Sequence, residues 1–79
     1  MKELIEYIAC NLVDHPEEVK VHQGRTQDGK VRLDLSVARD DMGRVIGKSG
    51  RVANAMRVLL RVAATREGKS VTLDVLEPR

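Results

Sequence analysis

The stretch Val31-Arg32-Leu33-Asp34-Leu35-Ser36-Val37 alternates apolar and polar residues without a break. A period of two predicts a β-strand over about residues 30–38 with one apolar face and one wet face. A strand of this kind needs cover on one side only. Two stretches of helical period offer that cover. Residues 2–13 place Leu4, Ile5, Ile8, Ala9, Leu12 and Val13 together, and residues 50–66 place Val52, Ala55, Met56, Leu59, Leu60 and Ala63 inward. Arg51, Arg57, Arg61 and Arg66 fall to the outer face of the second stretch.

The punctuation between these stretches fixes their order. Asp14-His15-Pro16 ends the first helix, because the residue before proline avoids helical dihedrals. An extended segment over residues 18–26 follows, and Asp28-Gly29 is a hairpin turn signal joining it to the alternating strand. Asp40 or Asp41 offers an N-cap for a short helix carrying Met42, Val45 and Ile46. Gly68 suits the left-handed position that closes the long helix, and residues 70–76 read as a last strand. The predicted order is α-β-β-α-α-β in a single domain over residues 1–79, with no repeat or linker. Stacking the helices on one face of a three-stranded mixed sheet gives an α+β sandwich. The hairpin strands run antiparallel, and the helical crossover brings the third strand back parallel to the second.

Composition excludes several functions. Tyr7 is the only aromatic residue, so recognition by rows of stacked rings is ruled out, and Tyr7 itself is expected to pack. Cys10 is the only cysteine, so no internal disulfide or Cys-based zinc site forms. The thiol is expected to be buried and inert, in a protein of the reducing cytoplasm. His15 and His22 have no partners at metal-ligand spacing, and no metal or cofactor is expected. Glu3 and Glu6 interrupt any leader-like apolar run, and no stretch approaches the ~20 apolar residues of a membrane span.

Positive charge is concentrated. Residues 39–69 hold eight basic and three acidic side chains, whereas the remainder of the chain is net acidic. The centre of that segment is Val45-Ile46-Gly47-Lys48-Ser49-Gly50-Arg51-Val52. Glycines permit positive φ and close approach of a ligand backbone. The free N–H groups opening the next helix, with its dipole, favour an anion. Arg44, Lys48 and Arg51 add charge, so the loop suits a phosphodiester backbone, RNA or single-stranded DNA alike. A nucleotide-hydrolysing P-loop does not fit, since only Arg44-Val45-Ile46 separates Gly43 from Gly47 where four residues are required. The adjacent Asp40 and Asp41 read as helix caps rather than an acid–base pair, and no catalytic residue is expected.

The run from Met42 to Val52, in this element order, resembles the G-x-x-G signature of a type II KH domain. The likeness extends over essentially the whole chain, which resembles the KhpA family of small free-standing bacterial KH proteins. Ser49 stands where that family more often has Gln. The resemblance implies single-stranded RNA clamped at Gly47, Lys48, Ser49 and Gly50. It implies base edges against Val45, Ile46 and Val52, with Arg44 and Arg51 at the rim. The loop Arg66-Glu67-Gly68-Lys69 resembles the variable loop opposite, with Arg66 and Lys69 offering further phosphate contacts. It also implies an RNA chaperone or regulator that forms a homodimer or pairs with KhpB, a Jag-domain RNA-binding protein, in cell elongation and division. A second reading is a dimerisation module to which RNA binding is incidental.

Overall fold

A computed structural model describes residues 1–76. Helix α1 spans Lys2–Leu12 and hands over, through a 3-10 turn at Pro16–Glu18, to strand β1, Lys20–Arg25. Strand β2 covers Val31–Ser36. A 3-10 turn at Arg39–Asp41 leads into the short helix α2, Met42–Ile46. A further 3-10 turn, Lys48–Gly50, precedes helix α3, Arg51–Arg66, and strand β3 closes the fold at Val71–Leu76. The first extended segment is shorter than its sequence suggests, because Pro16 fixes a φ that suits a turn start rather than a strand.

The sheet order is β1-β2-β3. Lys20 pairs with Ser36 and Arg25 with Val31 in the antiparallel hairpin, which is turned by Gly29 at φ +84°. β3 runs parallel to β2, with Val31 opposite Val71 and Leu35 opposite Val75. Both follow the expected topology. Val21, Val31, Leu33, Leu35 and Leu73 turn to one face and meet Ile5, Ala9, Val45, Met56 and Leu60 from the helices. With no aromatic ring to fill volume, this aliphatic set must interlock closely to reach interior packing density.

Five burial expectations fail, because each helix buries a narrower stripe than its period suggests. α1 buries Ile5 and Ala9, one turn apart, so Cys10 and Tyr7 lie off that stripe; Cys10 is exposed and Tyr7 is 70% exposed. Leu12 is also partly in solvent. On α3 the buried stripe is Ala53, Met56, Leu60 and Ala64, which leaves Ala55 and Leu59 outside. This helix is apolar around most of its circumference, so period alone does not choose a face. Small residues decide it: Ala53 and Ala64 let the helix lie close on its neighbours. Val58, Leu59 and Val62, each more than half exposed, are left facing solvent.

Asp41 is the one buried charged residue among those described. It does not cap α2 with its side chain. Its carboxylate instead accepts the backbone N–H groups of Asp14 and His15, both at 3.0 Å. These N–H groups lie in the turn just past the end of α1, and leaving them part-buried and unpaired would be costly. Asp41 therefore pins the end of α1 to the start of α2, and so fixes where the following glycine loop stands.

Candidate nucleic-acid interface

α2 is only five residues long and is held from below. Val45 is fully buried in the core and has no surface to offer a ligand, which corrects its expected place on a groove wall. Ile46 is 37% exposed and Val52 half-buried, so these two form the apolar lip of the loop.

At Gly47 the backbone turns out of α2 at φ +74° and ψ 175°, a conformation essentially confined to glycine. A Cβ here would lie 2.4 Å from Val52 Cγ2 and 2.9 Å from the Val52 nitrogen. Ser49 and Gly50 follow with φ of 57° and 76°. Serine pays for a left-handed position that glycine takes freely, since its Cβ crowds the carbonyl. The Gly50 N–H returns to the Gly47 carbonyl at 3.2 Å and closes the turn. Gly50 then starts α3 with no side chain to cap it, and the Arg51 N–H that opens the helix donates back to the Lys48 carbonyl. Lys48, Ser49 and Arg51 are exposed around this opening.

Among the described residues, Lys48, Arg51, Arg57, Arg61 and Arg66 have no carboxylate within 4.0 Å. Arg44 differs: its guanidinium pairs with Asp14 at 3.0 Å and approaches Asp41 at 3.8 Å. It extends the Asp41 clamp, and its charge beside the loop is met by those two carboxylates.

Arg66 and Lys69 lie at the far end of α3, ~24 Å from the glycine loop at 1.5 Å per residue. Gly68, at φ +68°, ends the helix there: its N–H donates to Thr65 O and that of Lys69 to Ala64 O, the paired bonds of a Schellman cap. The chain then returns as β3 alongside α3. Between them is a cleft of about 290 Å3 lined by Arg57, Leu60, Arg61 and residues 71–74. Arg57 reaches across it, its Nε donating to the Leu73 carbonyl at 3.1 Å and its Nη1 to Asn54 Oδ1 at 3.0 Å. The sequence places Arg57 and Arg61 on a helix face but does not say what that face meets. The signal was the spacing Gly50, Asn54, Arg57, Arg61, a helical stripe leading away from the loop.

Away from this surface, His15 Nδ1 lies 3.5 Å from Glu17, and Glu18 is close by. Sequence spacing gave His15 no such neighbours, because the 3-10 turn after Pro16 folds these side chains together. They form an exposed polar turn.

A three-stranded mixed sheet covered on one face by helices, with a G-x-x-G turn between the second and third, defines a type II KH domain. The comparisons agree. Residues 2–75 match the family model described as KhpA/KhpB, KH domain. RNA-binding protein KhpA of Halalkalibacterium halodurans is 47% identical over 78 residues, 98% of this chain and all of that protein. RNA-binding protein KhpA of Clostridium perfringens is 45% identical, covering 96% of this chain and all of that one. This chain belongs to the KhpA/KhpB KH-domain family. Its fold is also found in Aquifex aeolicus Era bound to GDP and aluminium fluoride, at TM-score 0.57 and 18% identity, covering 96% of this chain and 29% of Era. Among the described residues, no helix is long and apolar enough to cross a membrane.

Proposed function

We propose that this protein binds single-stranded RNA, with the backbone seated on Gly47, Lys48, Ser49 and Gly50. The observation that carries the reading is a glycine-walled turn at a helix start without a side-chain cap, flanked by Lys48 and Arg51, which among the described residues have no carboxylate within 4.0 Å. Such a site holds a chain of phosphates rather than a catalytic intermediate. Ile46 and Val52 supply apolar contact for the bases, and Arg44 and Arg51 stand at the rim, where Arg51 supplies the unpaired charge and Arg44 is already paired with Asp14. Arg66 and Lys69 meet phosphates farther along the strand. The printed names of the relatives, RNA-binding protein KhpA, support the same conclusion.

Binding a few nucleotides in one groove is weak, so linking two grooves raises the effective concentration of the second. The exposed apolar strip Val58, Leu59 and Val62 supports association through α3, with a second copy or with KhpB, whose KH domain shares the family model. The role that follows is that of a cytoplasmic RNA chaperone or regulator, working with KhpB in cell elongation and division.

The test is fluorescence anisotropy on a mixed pool of short single-stranded RNAs at two salt concentrations. Wild-type affinity is expected to fall as salt rises, and the double variant Lys48→Asp, Ser49→Asp to lose binding while keeping its fold. A folded double variant that binds as well as wild type would refute the clamp and leave the fold a dimerisation module.

A further inference from the structure

Arg44 stands in the last turn of α2, just before Gly47, and two carboxylates meet it on unequal terms. Asp41 is 1% exposed, and its oxygens already accept the N–H groups of Asp14 and His15 at 3.0 Å. Its Oδ1 lies 3.8 Å from Arg44 Nε, beyond an ordinary hydrogen bond. Asp14 Oδ2 lies 3.0 Å from Arg44 Nη2, with 65% of its side chain in solvent against 54% of the arginine's. Asp41 is thus committed to the backbone, while Asp14 is the close partner of the guanidinium and sits at the surface.

Asp41 also fixes where Asp14 stands, because the Asp14 N–H is one of the two it holds. The backbone of Asp14 is anchored, and its carboxylate is free to let go. An exposed ion pair of this kind adds little stability, since water and salt screen both charges and two side chains must be ordered to form it. A phosphate arriving at the loop can therefore displace the carboxylate. Lys48 and Arg51 differ. Among the described residues they have no carboxylate within 4.0 Å, so they meet a phosphate without giving up a partner.

We infer that Asp14 is a positioning residue that sets RNA affinity: its carboxylate occupies the Arg44 guanidinium in the free protein and must yield it to a phosphate of the bound strand. The inference rests on the RNA-binding reading above. A guanidinium offers carboxylate and phosphate the same fork of N–H donors, so the two anions compete for one group. Asp14 acts as an internal anion. It keeps Arg44 aimed beside the glycine loop when no strand is present, and it lowers what Arg44 contributes when one arrives.

The experiment is a double-mutant cycle read by anisotropy on the mixed pool of short single-stranded RNAs at low salt. It compares wild type, Asp14→Asn, Arg44→Ala and the two together, each first checked for its fold by urea unfolding. Asp14→Asn keeps the backbone N–H that Asp41 holds and removes only the charge. It is expected to raise affinity about threefold, the scale of an exposed pair, and Arg44→Ala to lower it. With Arg44→Ala in place, Asp14→Asn is expected to give no gain, because no guanidinium is left to release. Asp14→Ser, which keeps the same N–H, repeats the test if the first variant loses its fold. Asp40→Asn reports the general field: Asp40 is exposed, with no cation within 4.0 Å among the described residues. Its gain is expected to be smaller and the same in both backgrounds. No gain from Asp14→Asn, or a gain that persists undiminished beside Arg44→Ala, overturns the Asp14 inference, and the glycine-loop clamp stands if Lys48→Asp, Ser49→Asp still abolishes binding. If wild type binds none of the pool, the RNA reading falls and takes this inference with it.

Discussion

Replacing Gly47 with alanine tests the loop where its geometry is tightest. The φ of +74° with ψ of 175° is essentially glycine-only, and a residue with a Cβ forced there loses about 1–3 kcal/mol. The new methyl also meets Val52 at 2.4 Å on its Cγ2 and at 2.9 Å on its Cβ and its backbone nitrogen. The first contact can relax by a rotamer change, but the other two sit on the first turn of α3, which is held by the core. Overpacking of this kind adds about 1–3 kcal/mol. Gly50 is the internal control. Its φ is +76° with ψ near 13°, ordinary left-handed helix, and the nearest atom to an added Cβ is Asn54 Nδ2 at 3.8 Å. Alanine there costs about 1–2 kcal/mol, with no clash. Gly47→Ala should therefore be less stable than Gly50→Ala by about 2 kcal/mol, a gap of about 2 M in urea midpoint at a slope of about 1 kcal/mol/M. Adding Val52→Ala to Gly47→Ala should recover only part of the loss, since the backbone contact remains. Equal urea midpoints for Gly47→Ala and Gly50→Ala would refute the assigned strain.

Three further outcomes follow. Asp41→Ala strands the N–H groups of Asp14 and His15 and should cost about 2–4 kcal/mol in urea unfolding, whereas Arg44→Ala, losing a half-exposed pair, should cost under about 1 kcal/mol; similar losses in the two would remove Asp41 from its clamp role. Leu59→Glu should abolish concentration-dependent self-association in sedimentation velocity while leaving the thermal unfolding midpoint nearly unchanged, and unaltered association would take α3 out of the interface. The Thr26 hydroxyl, followed by backbone hydrogen bonding, holds the Asp28 carboxyl below its ordinary value of 3.8. A lowered folded pKa contributes stability that is complete above the unfolded value and is lost as pH falls through the folded one. Thr26→Val should therefore flatten the stability profile below about pH 4 and not near neutrality; an unchanged acid slope would contradict the linkage.

Much of this fold could be read from the chain, and the reasons are local. The unbroken alternation from Val31 to Val37, Asp28-Gly29, and Gly68 each specify one backbone state, and all appear where expected. What could not be read depends on contacts between distant segments. The choice of Ala53 and Ala64 over Ala55 and Leu59 as the buried face of α3 is made by packing, because the helix sequence permits several stripes. Asp41 looks like a cap by position, and only the fold brings Asp14 and His15 to it. The glycine loop was legible as an anion site because its chemistry lies in consecutive residues. Arg57 was not, since its partner Leu73 is 16 residues away on an edge whose free carbonyl is fixed by the register with β2. Val45 fell the other way: its place in the signature suggested a groove wall, and the shortness of α2 turns it into the core instead.

The most direct test of the central claim is to follow the backbone amide resonances of the labelled protein as a short single-stranded RNA is added. The largest shifts are expected at Gly47 to Asn54, and none on the face formed by Val58, Leu59 and Val62. Shifts confined to that apolar face, or spread evenly over the basic residues without focus at the glycine loop, would contradict it.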